Sequence, residues 1–110
     1  MPTPRLDDDG ATVTLDLHGA TVDEALDLSV RTVELAARRG RASVRLVHGS
    51  STTRHDPHRR TIKRALHALL DEGGLHPAAT QALRMEDVLV LSLDVTTAPD
   101  PTPIRLRDVV

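Results

Sequence analysis

The chain has 110 residues, enough for one hydrophobic core and too few for two, so its function has to sit on a single domain. With no cysteine and no Phe, Tyr or Trp, it can build neither a disulfide framework nor a thiolate metal site, nor a groove that stacks unpaired bases. Its net charge of −2 conceals a strong segregation: residues 38–67 sum to +8, residues 1–37 to −6 and residues 68–110 to −4. The central segment is therefore the place to look for an anionic partner.

The opening stretch, Met1-Pro2-Thr3-Pro4-Arg5-Leu6-Asp7-Asp8-Asp9, is polar and acidic, and residues 1–11 read as a disordered acidic tail. It lacks the apolar core of a signal peptide, and no later stretch is long enough to span a bilayer. The expected compartment is the cytoplasm, with no membrane partner. Thr12 to Leu17 alternates and is β-branched, which predicts a first strand with Val13, Leu15 and Leu17 facing the core. Thr21-Val22-Asp23-Glu24 has the form of a capping box, and the helix it opens is expected to run to about Arg39, with Gly40 as a left-handed cap. Its apolar stripe is Val22, Ala25, Leu26, Val33 and Ala36 or Ala37.

Ser43 to Val47 predicts a second, short strand, followed by a polar loop. Asp56-Pro57 reads as the N-cap and first position of a second helix ending near Glu72, with Ile62, Ala65, Leu66 and Leu69 inward. A short strand near Ala82 to Met85 is one option before the clear strand Val88 to Val95. Pro99, Pro101 and Pro103 bar a helix or a central strand, so residues 97–110 read as a Pro-rich tail, within which Ile104 to Val110 alternates as an edge strand would. The expected domain, residues 12–96, is α/β: a two-layer sandwich of order βαβαββ, with a small mixed four-stranded sheet and two helices on one face.

Two segments resemble each other, Leu15-Asp16-Leu17-His18-Gly19 and Arg45-Leu46-Val47-His48-Gly49, each a strand ending in His-Gly. If the strands are parallel neighbours joined by the first helix, both histidines reach one sheet edge, the edge at which open α/β sheets bind ligands. Alternation puts Asp16 and His18 together on the face opposite Leu15 and Leu17, where a carboxylate can fix the tautomer of an imidazole. Phosphodiester cleavage needs a base, an acid and positive charge, and Asp16, His18 and His48 are the catalytic candidates. The same groups could instead hold a divalent metal, which leaves the cofactor open. Gly19 and Gly49, with Arg54, His58, Arg59, Arg60 and Lys63 around the start of the second helix, are the candidate nucleic-acid contacts. His67 reads as helix surface and His76 as loop. DNA or RNA is the expected partner, and a homodimer is allowed. Two other classes stay open: a non-catalytic module for protein or ribosome association, and capture of a small phosphorylated ligand.

Leu15-Asp16-Leu17-His18-Gly19 followed by Thr21-Val22-Asp23-Glu24-Ala25-Leu26 resembles the opening signature of the small MutS-related domain, Smr. The resemblance continues through Val44-Arg45-Leu46-Val47-His48-Gly49 to Val88-Leu89-Val90-Leu91 and covers residues 12 to 95. It implies two helices on a four-stranded mixed sheet, similar to the C-terminal domain of bacterial translation initiation factor three. It also implies DNA or RNA binding, with nicking or endonuclease activity, and assigns activity to the acid and histidine that are Asp16 and His18 here. The chain departs from the family pattern where His-Gly-x-Gly becomes His48-Gly49-Ser50-Ser51, and where Arg84-Met85-Glu86-Asp87 replaces a glycine-rich stretch. A loop with fewer glycines brings fewer backbone amides close to a phosphate.

Overall fold

The computed structural model describes residues 3–49 and 61–110. In chain order the strands are β1 Arg5–Asp8, β2 Thr12–Asp16, β3 Ser43–Val47, β4 Ala79–Arg84 and β5 Val88–Leu93, and the helices are α1 Val22–Arg38 and α2 Ile62–Asp71. One 3-10 turn, Leu106–Asp108, follows. The fold is α/β with two helices, as expected, but the mixed sheet has five strands rather than four, in the order β1-β2-β3-β5-β4. β2 and β3 run parallel with α1 crossing between them, and the other pairs are antiparallel.

The period-2 patterning builds one core face. Val13, Leu15 and Leu17 of the first repeat, Val44 and Leu46 of β3, and Leu89, Leu91 and Leu93 of β5 are all buried. Ala25, Leu28, Val33 and Ala36 of α1 and Leu66 of α2 join the same cluster. The opposite parity carries Thr12, Thr14, Asp16, Ser43, Arg45, Val47, Val90 and Ser92, which stay half-buried or exposed and make an open face on which only Val88 is buried. No helix among the described residues is long and apolar enough to cross a membrane.

α1 starts as its sequence dictates: the Glu24 amide donates to Thr21 Oγ1 at 3.2 Å and the Thr21 amide to Glu24 Oε1 at 3.0 Å. It stops at Gly40, where φ is +71° and a Cβ would meet the carbonyl oxygens of Thr97 and Ala98 at 2.8 and 2.9 Å. Its buried face is wider than the expected stripe and takes in Leu28, Ser29 and Thr32, because α1 packs on α2 as well as on β2 and β3. α2 is capped by Thr61, whose Oγ1 accepts from the Arg64 amide at 3.1 Å. Asp56 and Pro57 lie outside the described residues.

The fifth strand, β1, comes from the segment that reads as a tail, and one buried ion pair accounts for it. Asp8 lies opposite Val13 on the core-facing side. There it meets Arg41, with the two side chains 0% and 1% exposed and Nε to Oδ1 at 2.8 Å. All five guanidinium N–H donors are used: two sets reach Asp8, and the rest reach the carbonyls of Arg39, Asp100 and Thr102. Burial pushes the Asp8 carboxyl up, but hydrogen bonds from Arg41 and from the Ile104 and Gly10 amides outweigh it and hold the group below its ordinary value. The same cluster redirects the C-terminal segment. The Ile104 amide donates to Asp8 Oδ2 at 2.7 Å, and Ile104 and Val109 enter the core, so residues 104–110 pack over the sheet in place of forming the expected edge strand.

Candidate functional site

Because β2 and β3 are parallel neighbours, their C-terminal ends and the two His-Gly turns lie side by side. The Leu17 amide extends the ladder to the Val47 carbonyl at 2.9 Å. Just before it, Asp16 folds back on its own chain. Its Oδ1 accepts from the His18 backbone amide at 3.0 Å and from ring Nδ1 at 2.5 Å. A carboxylate only accepts, so the ring proton sits on Nδ1 and Nε2 is left to take or give a proton. The pair is accessible, with side chains 55% and 38% exposed for His18 and Asp16. Burial raises the Asp16 carboxyl, but the two His18 hydrogen bonds and the charges of His18 and Arg5 more than offset it, and the group stays below its ordinary value. Arg5 acts here because the β1–β2 register sets it directly opposite Asp16.

Gly49 is required twice over. Its φ is +78°, and a Cβ would stand 3.2 Å from His18 Nε2. The bare Cα leaves room for the imidazole. The His48 and Gly49 amides both donate to the Asp87 carbonyl, at 3.0 and 3.1 Å. Gly19, with φ +87°, turns the chain from β2 toward α1, and the Ala20 amide closes that turn on the Leu17 carbonyl at 3.1 Å.

The two histidines are placed together but do different things. The His48 ring is buried, 9% exposed, and its Nδ1 donates to the Gly49 carbonyl at 2.7 Å. Its Nε2 is buried without a partner among the described residues, as is that of His67. The His67 ring stands edge-on to it, with centroids 6.1 Å apart and planes at 83°. Burial lowers His48, against the Gly49 carbonyl and with the help of the Lys63 charge, while Asp87 raises it. Burial, then the charges of Arg84, His48 and Lys63, lower His67 against Asp71. Both rings therefore favour the neutral form more than an ordinary imidazole does. His67, expected on the helix surface, is an inward-facing partner of the second turn.

Part of the central positive charge is committed to the fold. Arg38 pairs with Glu34 at 2.5 Å, Arg39 donates to the Thr102 and Pro103 carbonyls, and Arg41 is buried with Asp8. Lys63 is half-buried in the first turn of α2 and Arg45 is exposed on the open face. Arg54, His58, Arg59 and Arg60 lie outside the described residues. Among the described residues no three His, Asp or Glu side chains converge to hold a metal ion.

In comparison with known proteins, the family model for the Smr domain matches residues 15–87. No curated protein and no solved structure matches. The matched span runs from Leu15 in β2 to Asp87, whose carbonyl holds the second turn, and so includes both His-Gly turns and both helices. It leaves out β1, β5 and the C-terminal segment.

Proposed function

The chain belongs to the Smr domain family, whose members are generally nucleic-acid-binding and nuclease-like, and on that premise we propose that it binds DNA or RNA at the strand ends, in the cytoplasm, and cleaves a phosphodiester there. The observation that carries the reading is the Asp16–His18 pair, with Nδ1 tied to the carboxylate and Nε2 standing over Gly49. In cleavage, Nε2 takes the proton of the attacking water or ribose hydroxyl as the new P–O bond forms. The imidazolium then returns a proton to the departing oxygen. Asp16 is a positioning residue: it fixes the tautomer and stabilises the imidazolium. His48 does not touch the substrate in this scheme. It shapes the turn whose glycine makes room for His18. Positive charge for the phosphate comes from Lys63, Arg54, Arg59 and Arg60, with His58 as a further contact.

The test pairs binding with cleavage. Fluorescein-labelled 20-base-pair DNA and a hairpin RNA report affinity across a salt series, while supercoiled plasmid and the same hairpin report cutting, each with and without chelator. Affinity is expected to fall steeply with salt as phosphate contacts release counterions. His18→Ala is expected to lower cleavage by about 100-fold or more while leaving affinity unchanged. Binding without cutting by the wild type would remove the catalytic half of the reading, and binding of neither probe would overturn it.

A further inference from the structure

We propose that Arg5, on a strand outside the family-matched span, is part of the strand-end site as a phosphate-binding guanidinium set beside the Asp16–His18 pair. The inference rests on the nucleic-acid reading above and names a residue that the family match does not reach.

Three observations place it there. First, the antiparallel β1–β2 register puts Arg5 directly across from Asp16 on the open face. Directly opposite residues have Cβ atoms about 5 Å apart. His18 stands in the turn just past the end of β2, tied to the same Asp16 carboxylate through ring Nδ1. Second, Arg5 is exposed and, beyond the action of its charge on Asp16, makes no hydrogen bond or ion pair among the described residues, whereas Arg31, Arg38 and Arg84 pair with Asp27, Glu34 and Asp71, and Arg39 and Arg41 bind carbonyls. Third, β1 is held firmly three residues further on, where Asp8 is buried against Arg41. Arg5 therefore projects from a fixed strand, not from a loose tail.

The chemistry explains why a cation is needed at this point. A phosphodiester brought to His18 Nε2 also approaches the Asp16 carboxylate, which repels it. A guanidinium directly opposite Asp16 offsets that charge, and its fork matches two non-bridging phosphate oxygens in a way an ammonium does not. The Gly49 and His48 amides, engaged on the Asp87 carbonyl, leave the phosphate without the backbone donors a glycine-rich loop would supply. Arg5 supplies donors from the other side of Asp16.

The experiment compares Arg5→Gln, which keeps the stem and loses the charge, with Arg5→Lys, which keeps the charge and loses the fork. Arg31→Ala on the outer face of α1 is the control. Each is titrated with whichever labelled probe, 20-base-pair DNA or hairpin RNA, the wild type binds more tightly, across 50 to 300 mM salt. Arg5→Gln is expected to weaken binding about tenfold at the lowest salt and to reduce the slope of log affinity against log salt by about 1. Arg5→Lys should keep the wild-type slope and lose part of the affinity, and Arg31→Ala should match the wild type. A wild-type slope and affinity in Arg5→Gln overturns the assignment of Arg5 while leaving the nucleic-acid reading standing. Failure of the wild type to bind either probe overturns both. Should Arg5→Gln lose its cooperative melting transition, Arg5→Lys decides: wild-type affinity with it denies any role to the fork.

Discussion

The His48–His67 contact gives the protein a pH dependence with a definite sign. Both imidazoles are held below their ordinary value in the folded state, first by burial and then by the nearby Lys63 and Arg84 charges, against Asp71 and Asp87. Between the folded values and the ordinary one near about 6.5, the unfolded chain binds more protons than the folded chain. The stabilisation is therefore complete above about pH 6.5 and is lost as pH falls through the folded values. The urea midpoint is expected to drop between pH 7 and pH 5, and His67→Phe, which keeps an edge-on ring that cannot charge, should flatten that drop. A midpoint independent of pH over this range, or a His67→Phe profile identical to the wild type, would contradict the assignment. Asp16 and His18 were legible in the sequence because a strand has period 2 and the two residues meet on their own chain. His67 was not, because the rotation of α2 about its axis is set by where Ala65 and Leu66 pack, which no local pattern records.

At the scale of elements, α1 could be read from end to end because its signals are local: a capping box at Thr21 and a left-handed glycine at Gly40. β1 could not, since Arg-Leu-Asp-Asp has little intrinsic strand preference and its formation depends on Arg41, 33 residues away. α1 also carries two kinds of hydroxyl, and they should respond to removal with opposite signs. Thr21 satisfies an orphan amide at the helix start, so Thr21→Ala is expected to cost about 1 kcal/mol. Ser29 is fully buried and its Oγ has no partner among the described residues. Ser29→Ala removes an unsatisfied polar group and is expected to gain about 1 kcal/mol. Urea unfolding of the two variants checks both directions, and a destabilised Ser29→Ala would mean that the hydroxyl has a partner after all.

Over the whole molecule, Arg41 ties together pieces that the matched span does not contain: β1 through Asp8, and the C-terminal segment through the carbonyls of Asp100 and Thr102. The charge pattern hid this arrangement, since Arg41 belongs by sequence to the basic centre and by structure to the core. Removing one partner of a buried pair leaves an uncompensated charge, at about 3–5 kcal/mol, against a total stability of about 5–15 kcal/mol for a domain. Asp8→Ala should therefore unfold much of the population by mild urea, and a fragment of residues 12–96, lacking Asp8, Ile104 and Val109, should be at least as weak. The double variant Asp8→Leu with Arg41→Met removes the stranded charge and should recover part of the loss, but only part, because the three carbonyls lose their donor. If Asp8→Ala melts like the wild type, the ion pair does not organise the two terminal segments. If it melts early, nucleic-acid affinity should fall with it as in Arg5→Gln, because the strand that carries Arg5 to Asp16 is fastened to the domain through Asp8.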